Sequence, residues 1–191
     1  METFDIYKSA YVNAKVAYVS TNDKLESVMN CLKKDGTDAL TDPFAKELRN
    51  ESWSNEMDVN NAAKLMAGYL TNAATAQLVN EEYDALFAAS FSADPSDACS
   101  YQFKFDVVIV PKRETWINKF YELDRLANTM QFGIVDITDA ERILDKYQIL
   151  HSKRYSIDWM SDNELMDADP HDTINELVNL AEEGIVHYQS R

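Results

Sequence analysis

The ten residues YQFKFDVVIV (101–110) alternate with a period of two. Tyr101, Phe103, Phe105, Val107 and Ile109 put only apolar groups on one face, while Gln102, Lys104, Asp106, Val108 and Val110 run from polar to apolar on the other. Alternation of this length predicts a β-strand with one face fully buried, and Pro111 ends it. Just upstream, SADPSDACS (92–100) combines Pro95 with five Ser or Asp residues that favour turns, and reads as a polar boundary loop between two differently built halves.

Downstream of the strand, Trp116, Ile117, Phe120, Tyr121, Leu123, Ala127 and Met130 keep helical spacing, and Phe132–Ile137 reads as a short strand. Two capping boxes follow, at Thr138–Glu141 and Ser161–Glu164, with a strand expected between them at Tyr155–Trp159. Asp169 and Pro170 suit the cap and first position of a final helix carrying Ile174, Leu177, Val178 and Ala181; Gly184 is expected to close it, and Ile185–Tyr188 to return as a last strand.

Upstream of the boundary the period is that of a helix. Phe4, Tyr7, Tyr11 and Ala14–Tyr18 form one stretch, and Leu25, Val28, Met29 and Leu32 another, behind capping candidates at Ser20–Asp23 and before a stop at Gly36. A short helix is expected near Thr41, with Asp42 and Pro43 in its first turn. Val59, Ala62, Leu65, Met66, Tyr69 and Leu70 form a further stripe, and Leu78–Phe91 reads as helix with Asn80 as a cap. The fold class is therefore α+β and helix-dominated: a mainly helical N-terminal half with a small β-sheet contributed by the C-terminal half. A chain of 191 residues suits a single domain over 1–191, with 1–91 and 101–191 as its two lobes.

Four isolated glycines, Gly36, Gly68, Gly133 and Gly184, exclude dinucleotide fingerprints, phosphate-binding loops and nucleophile elbows, all of which need glycines close together. Two cysteines are too few for a disulfide framework; Cys31 reads as a core thiol and Cys99 as a loop residue. The histidines, His151, His171 and His187, fall in no metal-binding or catalytic spacing. Asp167-Ala-Asp169-Pro-His171-Asp172 is dense in possible ligands, but a calcium loop would need a glycine at its sixth position and glutamate at its twelfth, where Asp172 and Val178 stand. No metal or cofactor is expected. A start lacking the basic and apolar parts of a signal peptide, with no membrane-length apolar run, points to the cytoplasm.

Charge is the most informative feature. The net charge is -15, from 18 basic and 33 acidic residues. Residues 65–103 hold five acids and no base, and 155–190 hold nine acids and no Lys or Arg, so two base-free segments carry almost the whole excess. Solvated helices ordinarily mix signs, because opposite charges three or four positions apart add a few tenths of a kcal/mol and like charges cost as much. Such an excess disfavours direct contact with nucleic acid or anionic membrane and favours a basic partner.

In size and charge, though in no shared motif, the chain resembles the small acidic inhibitors of phages and mobile elements: DNA-mimic anti-restriction and anti-CRISPR proteins, and immunity proteins against nuclease toxins. The expected function is that of a non-enzymatic inhibitor or decoy binding a basic, nucleic-acid-handling or nuclease protein through a carboxylate-rich face. Its expected residues are Asp158, Asp162, Glu164, Asp167, Asp169, Asp172, Glu176, Glu182 and Glu183, with Trp159 and Tyr188 as aromatic anchors and Glu81, Glu82 and Asp84 as a second patch. Two further readings stand beside it: a small-molecule-binding protein or enzyme with its site in a cleft between the halves, and a virion or assembly component that forms homo-oligomers.

Overall fold

Apolar spacing near 3.6 residues over most of the first 77 positions yields two long helices. In a computed structural model, which describes residues 2–78, 83–94, 97–111 and 155–189, α1 spans Glu2–Lys34 and α2 spans Pro43–Gln77. They are followed by β1 (Tyr83–Asp94), β2 (Asp97–Pro111), β3 (Tyr155–Ser161), α3 (Asp162–Asp167) and α4 (Pro170–Gln189). The chain forms two compact units, Glu2–Ala63 and Lys64–Arg191, the latter including Met1, and α2 contributes to both. No described helix is long and apolar enough to cross a membrane.

In the first unit, α1 runs unbroken through Ser20–Asp23, which correspond to no helix start. Thr21 is buried and its hydroxyl donates to Glu51 Oε1 at 3.2 Å, while Asn55 Nδ2 donates to Thr21 Oγ1 at 3.0 Å. Ser52 Oγ donates to Asn22 Oδ1 at 2.5 Å. These polar contacts set the antiparallel register of the two helices, with Leu48, Ala45, Val59 and Ala62 buried on α2. Gly36 stops α1 as its sequence suggests. Its φ of 69° is the left-handed conformation, and the N–H groups of Gly36 and Thr37 donate back to Lys33 O (3.4 Å) and Leu32 O (2.9 Å). Asp42 Oδ1 accepts from Ala45 N at 2.8 Å and caps one continuous α2, rather than a short helix followed by another. Cys31 is exposed, not a core thiol, and in the stripe whose Val59, Ala62, Met66 and Leu70 are buried, Leu65 is exposed and Tyr69 half-buried.

In the second unit, the three described strands form an antiparallel sheet of order β1-β2-β3. The helix expected over Leu78–Phe91 is instead β1 from Tyr83 onward, paired Phe87↔Val107 and Phe91↔Phe103. The run Leu86-Phe87-Ala88-Ala89 is buried throughout, and a continuous apolar run has no period to tell strand from helix, so pairing with the strong strand β2 decides it. The polar stretch 92–100 is the end of a hairpin: β1 reaches Asp94, β2 starts at Asp97, and Cys99 is a strand residue. Between Phe103↔Met160 and Phe105↔Ile157, two residues of β3, Asp158 and Trp159, oppose Lys104 alone, which is the count of a β-bulge. The strand expected at Tyr155–Trp159 is present and two residues longer. Asp106, buried on β2, accepts from Ser156 Oγ at 2.6 Å and has Lys104 Nζ 3.9 Å away, so its charge is compensated.

Helix α4 lies against all three strands. Its inner face carries Ile174, Leu177, Ala181 and Ile185, all buried. Gly184 neither closes this helix nor precedes a strand, because α4 runs on through Ile185–Tyr188 to Gln189. The glycine serves packing: a Cβ there would stand 2.6 Å from Ile109 Cγ1 and 2.8 Å from Tyr155 Cε2. The helix expected at 116–130, the strand at 132–137 and the capping box at 138–141 lie outside the described residues.

Gly184→Ala is the test of that contact. Helix propensity alone favours alanine by about 1 kcal/mol, but the methyl group meets the fully buried Ile109 and the ring of Tyr155, so the helix or these side chains must shift. The expected net result is a loss of about 1–3 kcal/mol, as for other overpacked cores, read as a lower thermal midpoint. A midpoint equal to or above wild type would mean that α4 does not sit this close to the sheet.

Candidate acidic docking face

The capping box at Ser161–Glu164 forms as its sequence implies. Glu164 N donates to Ser161 Oγ at 3.2 Å, and Glu164 Oε2 accepts from Ser161 N at 2.7 Å and from Ser161 Oγ at 2.9 Å. The two donors hold the Glu164 carboxyl below its ordinary value of 4.5, the backbone N–H contributing most. Glu164 is therefore exposed but engaged. Asp169 is likewise exposed and occupied at the start of α4, where Oδ1 accepts from His171 N at 2.9 Å.

Asp162 does not belong to a docking face. It is fully buried, 0% exposed, at the first position of α3. A carboxylate at a helix start reads the same in sequence whether it is exposed or buried, and the fold buries this one. Asp158 and Asp167 are exposed, and Trp159, at the bulge, is 48% exposed. Asp84 lies on β1, opposite Val110. Glu81 and Glu82, and the side chain of Tyr188, lie outside the described residues.

The coherent group is on α4. At 100° per residue, Asp172, Glu176 and Glu183 fall within about 40° of one another around the helix axis, and all three are exposed. They lie opposite the buried Ile174, Leu177 and Ala181, with Glu182 exposed to one side. Along the axis Glu176 lies about 6 Å beyond Asp172, and Glu183 about 10 Å further. Among the described residues no ion pair reaches any of them. The dipole of α4 favours Asp172 in the first turn but not Glu176, Glu182 or Glu183.

Trp53 and Met57 on α2, 66% and 41% exposed, went unnoticed in the sequence. The available signal was that they fall out of step with the buried stripe through Val59, Ala62 and Met66. An open hollow lined by Asp5, Lys8, Ser9, Val12 and Asn13 lies along α1 alone. Among the described residues, no group of three or more His, Cys, Asp or Glu is placed to hold a metal ion, and Asp167–Asp172 instead forms the junction between α3 and α4. Compared with known proteins, the chain matches no family model, no curated protein and no solved structure.

The cap gives a prediction with a definite sign. A carboxyl whose value is lowered by folding stabilises the fold fully above its unfolded value, and that contribution is lost as pH falls through the folded value. Glu164→Gln should therefore be less stable than wild type at neutral pH, with the two unfolding curves converging in acid. Ser161→Ala, which removes the other half of the box, should cost about 1 kcal/mol. A constant gap between wild type and Glu164→Gln down to pH 3 would contradict the assignment.

Proposed function

We propose that this protein is a non-enzymatic inhibitor or decoy that docks onto a basic, nucleic-acid-handling protein through the outer face of α4. One observation carries the reading: Asp172, Glu176 and Glu183 form an exposed line to which no described cation is paired, in a segment from 155 to 190 with no Lys or Arg at all. Carboxylates about 6–10 Å apart on a rigid helix offer a basic groove a charge spacing of the order of that along a nucleic-acid strand. Exposed Asp158, Asp167 and Glu182 extend the negative field, and Trp159 supplies an aromatic anchor in the same unit. Binding of this kind associates fast at low salt and weakens as salt rises.

The set to reverse is Asp172, Glu176 and Glu183, not Asp162 or Asp169, whose carboxylates are buried or engaged. In the triple Lys variant, retention of basic proteins from host lysate, with salt elution and identification by mass spectrometry, should fall by at least an order of magnitude. Far-UV circular dichroism and the thermal midpoint should not change. The captured protein should also lose nucleic-acid binding when the wild-type chain is added. Equal retention by wild type and variant would refute the proposal.

A further inference from the structure

In an unbroken strand side chains alternate, so Trp159 would share the face of Ile157, which is buried, and stand opposite Phe103. The register of β3 shows otherwise. Ile157 pairs with Phe105 and Met160 with Phe103, so one extra residue puts Met160 where Trp159 would have been. Asp158 and Trp159 are in consequence both exposed, Trp159 by 48%. The exposure of this indole is built into the backbone, against the loss of ladder pairing and of the burial that an aromatic would otherwise gain.

Charge at the bulge is unbalanced. Lys104, the residue opposite it, has its Nζ 3.9 Å from Asp106 Oδ1, and those two charges offset each other. Among the described residues no cation is paired with Asp158 or stacked on Trp159, and 155–190 contains no Lys or Arg to supply one. The bulge therefore holds an open carboxylate next to a half-open indole.

We infer that this pair receives an arginine side chain of the basic partner, an inference that rests on the docking proposed above and names the contact made at Trp159. A guanidinium is planar and weakly hydrated, so it stacks on an indole while its N–H fork donates to a carboxylate. The ammonium of lysine is compact and strongly hydrated, and matches neither group as well. Arginine is also the side chain that grips phosphate through the same fork, so a nucleic-acid-handling protein carries it where an acidic decoy docks.

Hexa-arginine and hexa-lysine, titrated at low salt into the nitrogen-15-labelled full chain, test it by nuclear magnetic resonance. The indole N–H signals of Trp53, Trp116 and Trp159 are assigned by single Phe substitutions. Followed at Trp159, hexa-arginine should bind about two- to fivefold tighter than hexa-lysine, the range of one exposed cation–π contact. Asp158→Asn should narrow that ratio, and Trp53, 66% exposed on α2, should show no arginine preference. No preference at Trp159, an equal preference at Trp53, or a ratio untouched by Asp158→Asn would each overturn the inference. The Asp172→Lys/Glu176→Lys/Glu183→Lys chain should bind both peptides more weakly and keep the ratio at Trp159. Loss of the ratio with α4-dependent retention of lysate proteins intact would therefore remove this contact alone, and the converse would remove the proposed function alone.

Discussion

The approach of α4 to the sheet at Gly184 is the constraint on which the second unit depends. The missing side chain lets the helix axis settle onto Ile109 and Tyr155, at the join between β2 and β3. Once that contact exists the rotation of α4 is no longer free. Ile174, Leu177, Ala181 and Ile185 must face the strands, and Asp172, Glu176 and Glu183 must face away from them. The acidic line is thus a consequence of packing as much as of composition. Nine carboxylates in a row of sequence would mean little on a segment whose rotation was undetermined.

The same carboxylate has different physical meanings at neighbouring positions. Glu164 closes a capping box and Asp169 receives His171 N–H, so part of their charge is used by the backbone. Asp162 is enclosed. Removing these from the acidic inventory leaves a smaller set with a sharper geometry. Among the described residues nothing in the local structure favours that set: the dipole disfavours acids toward the C-terminal end of α4, and like charges at i, i+4 (Asp172 and Glu176) cost a few tenths of a kcal/mol.

Much of the architecture was legible. The 101–110 alternation, the stop at Gly36, the Ser161–Glu164 box and the Asp169–Pro170 start all rest on local chemistry that needs no distant partner, and each is present. The misreadings share a different cause. β1 reads as helix because Leu86–Ala89 is apolar on both sides, and only pairing with β2 reveals the period. Gly184 reads as a helix stop because its purpose lies across space, at Ile109. Ser20–Asp23 read as caps because the partners of Thr21 and Asn22 are some thirty positions away, on α2. At the candidate face, sequence identified which segment is acidic. It did not tell the buried Asp162 from the exposed Asp172, since helix starts favour both. The exposure of Trp53 shows in the sequence only as a position out of step with the stripe through Val59, Ala62 and Met66, a weaker mark than an apolar run.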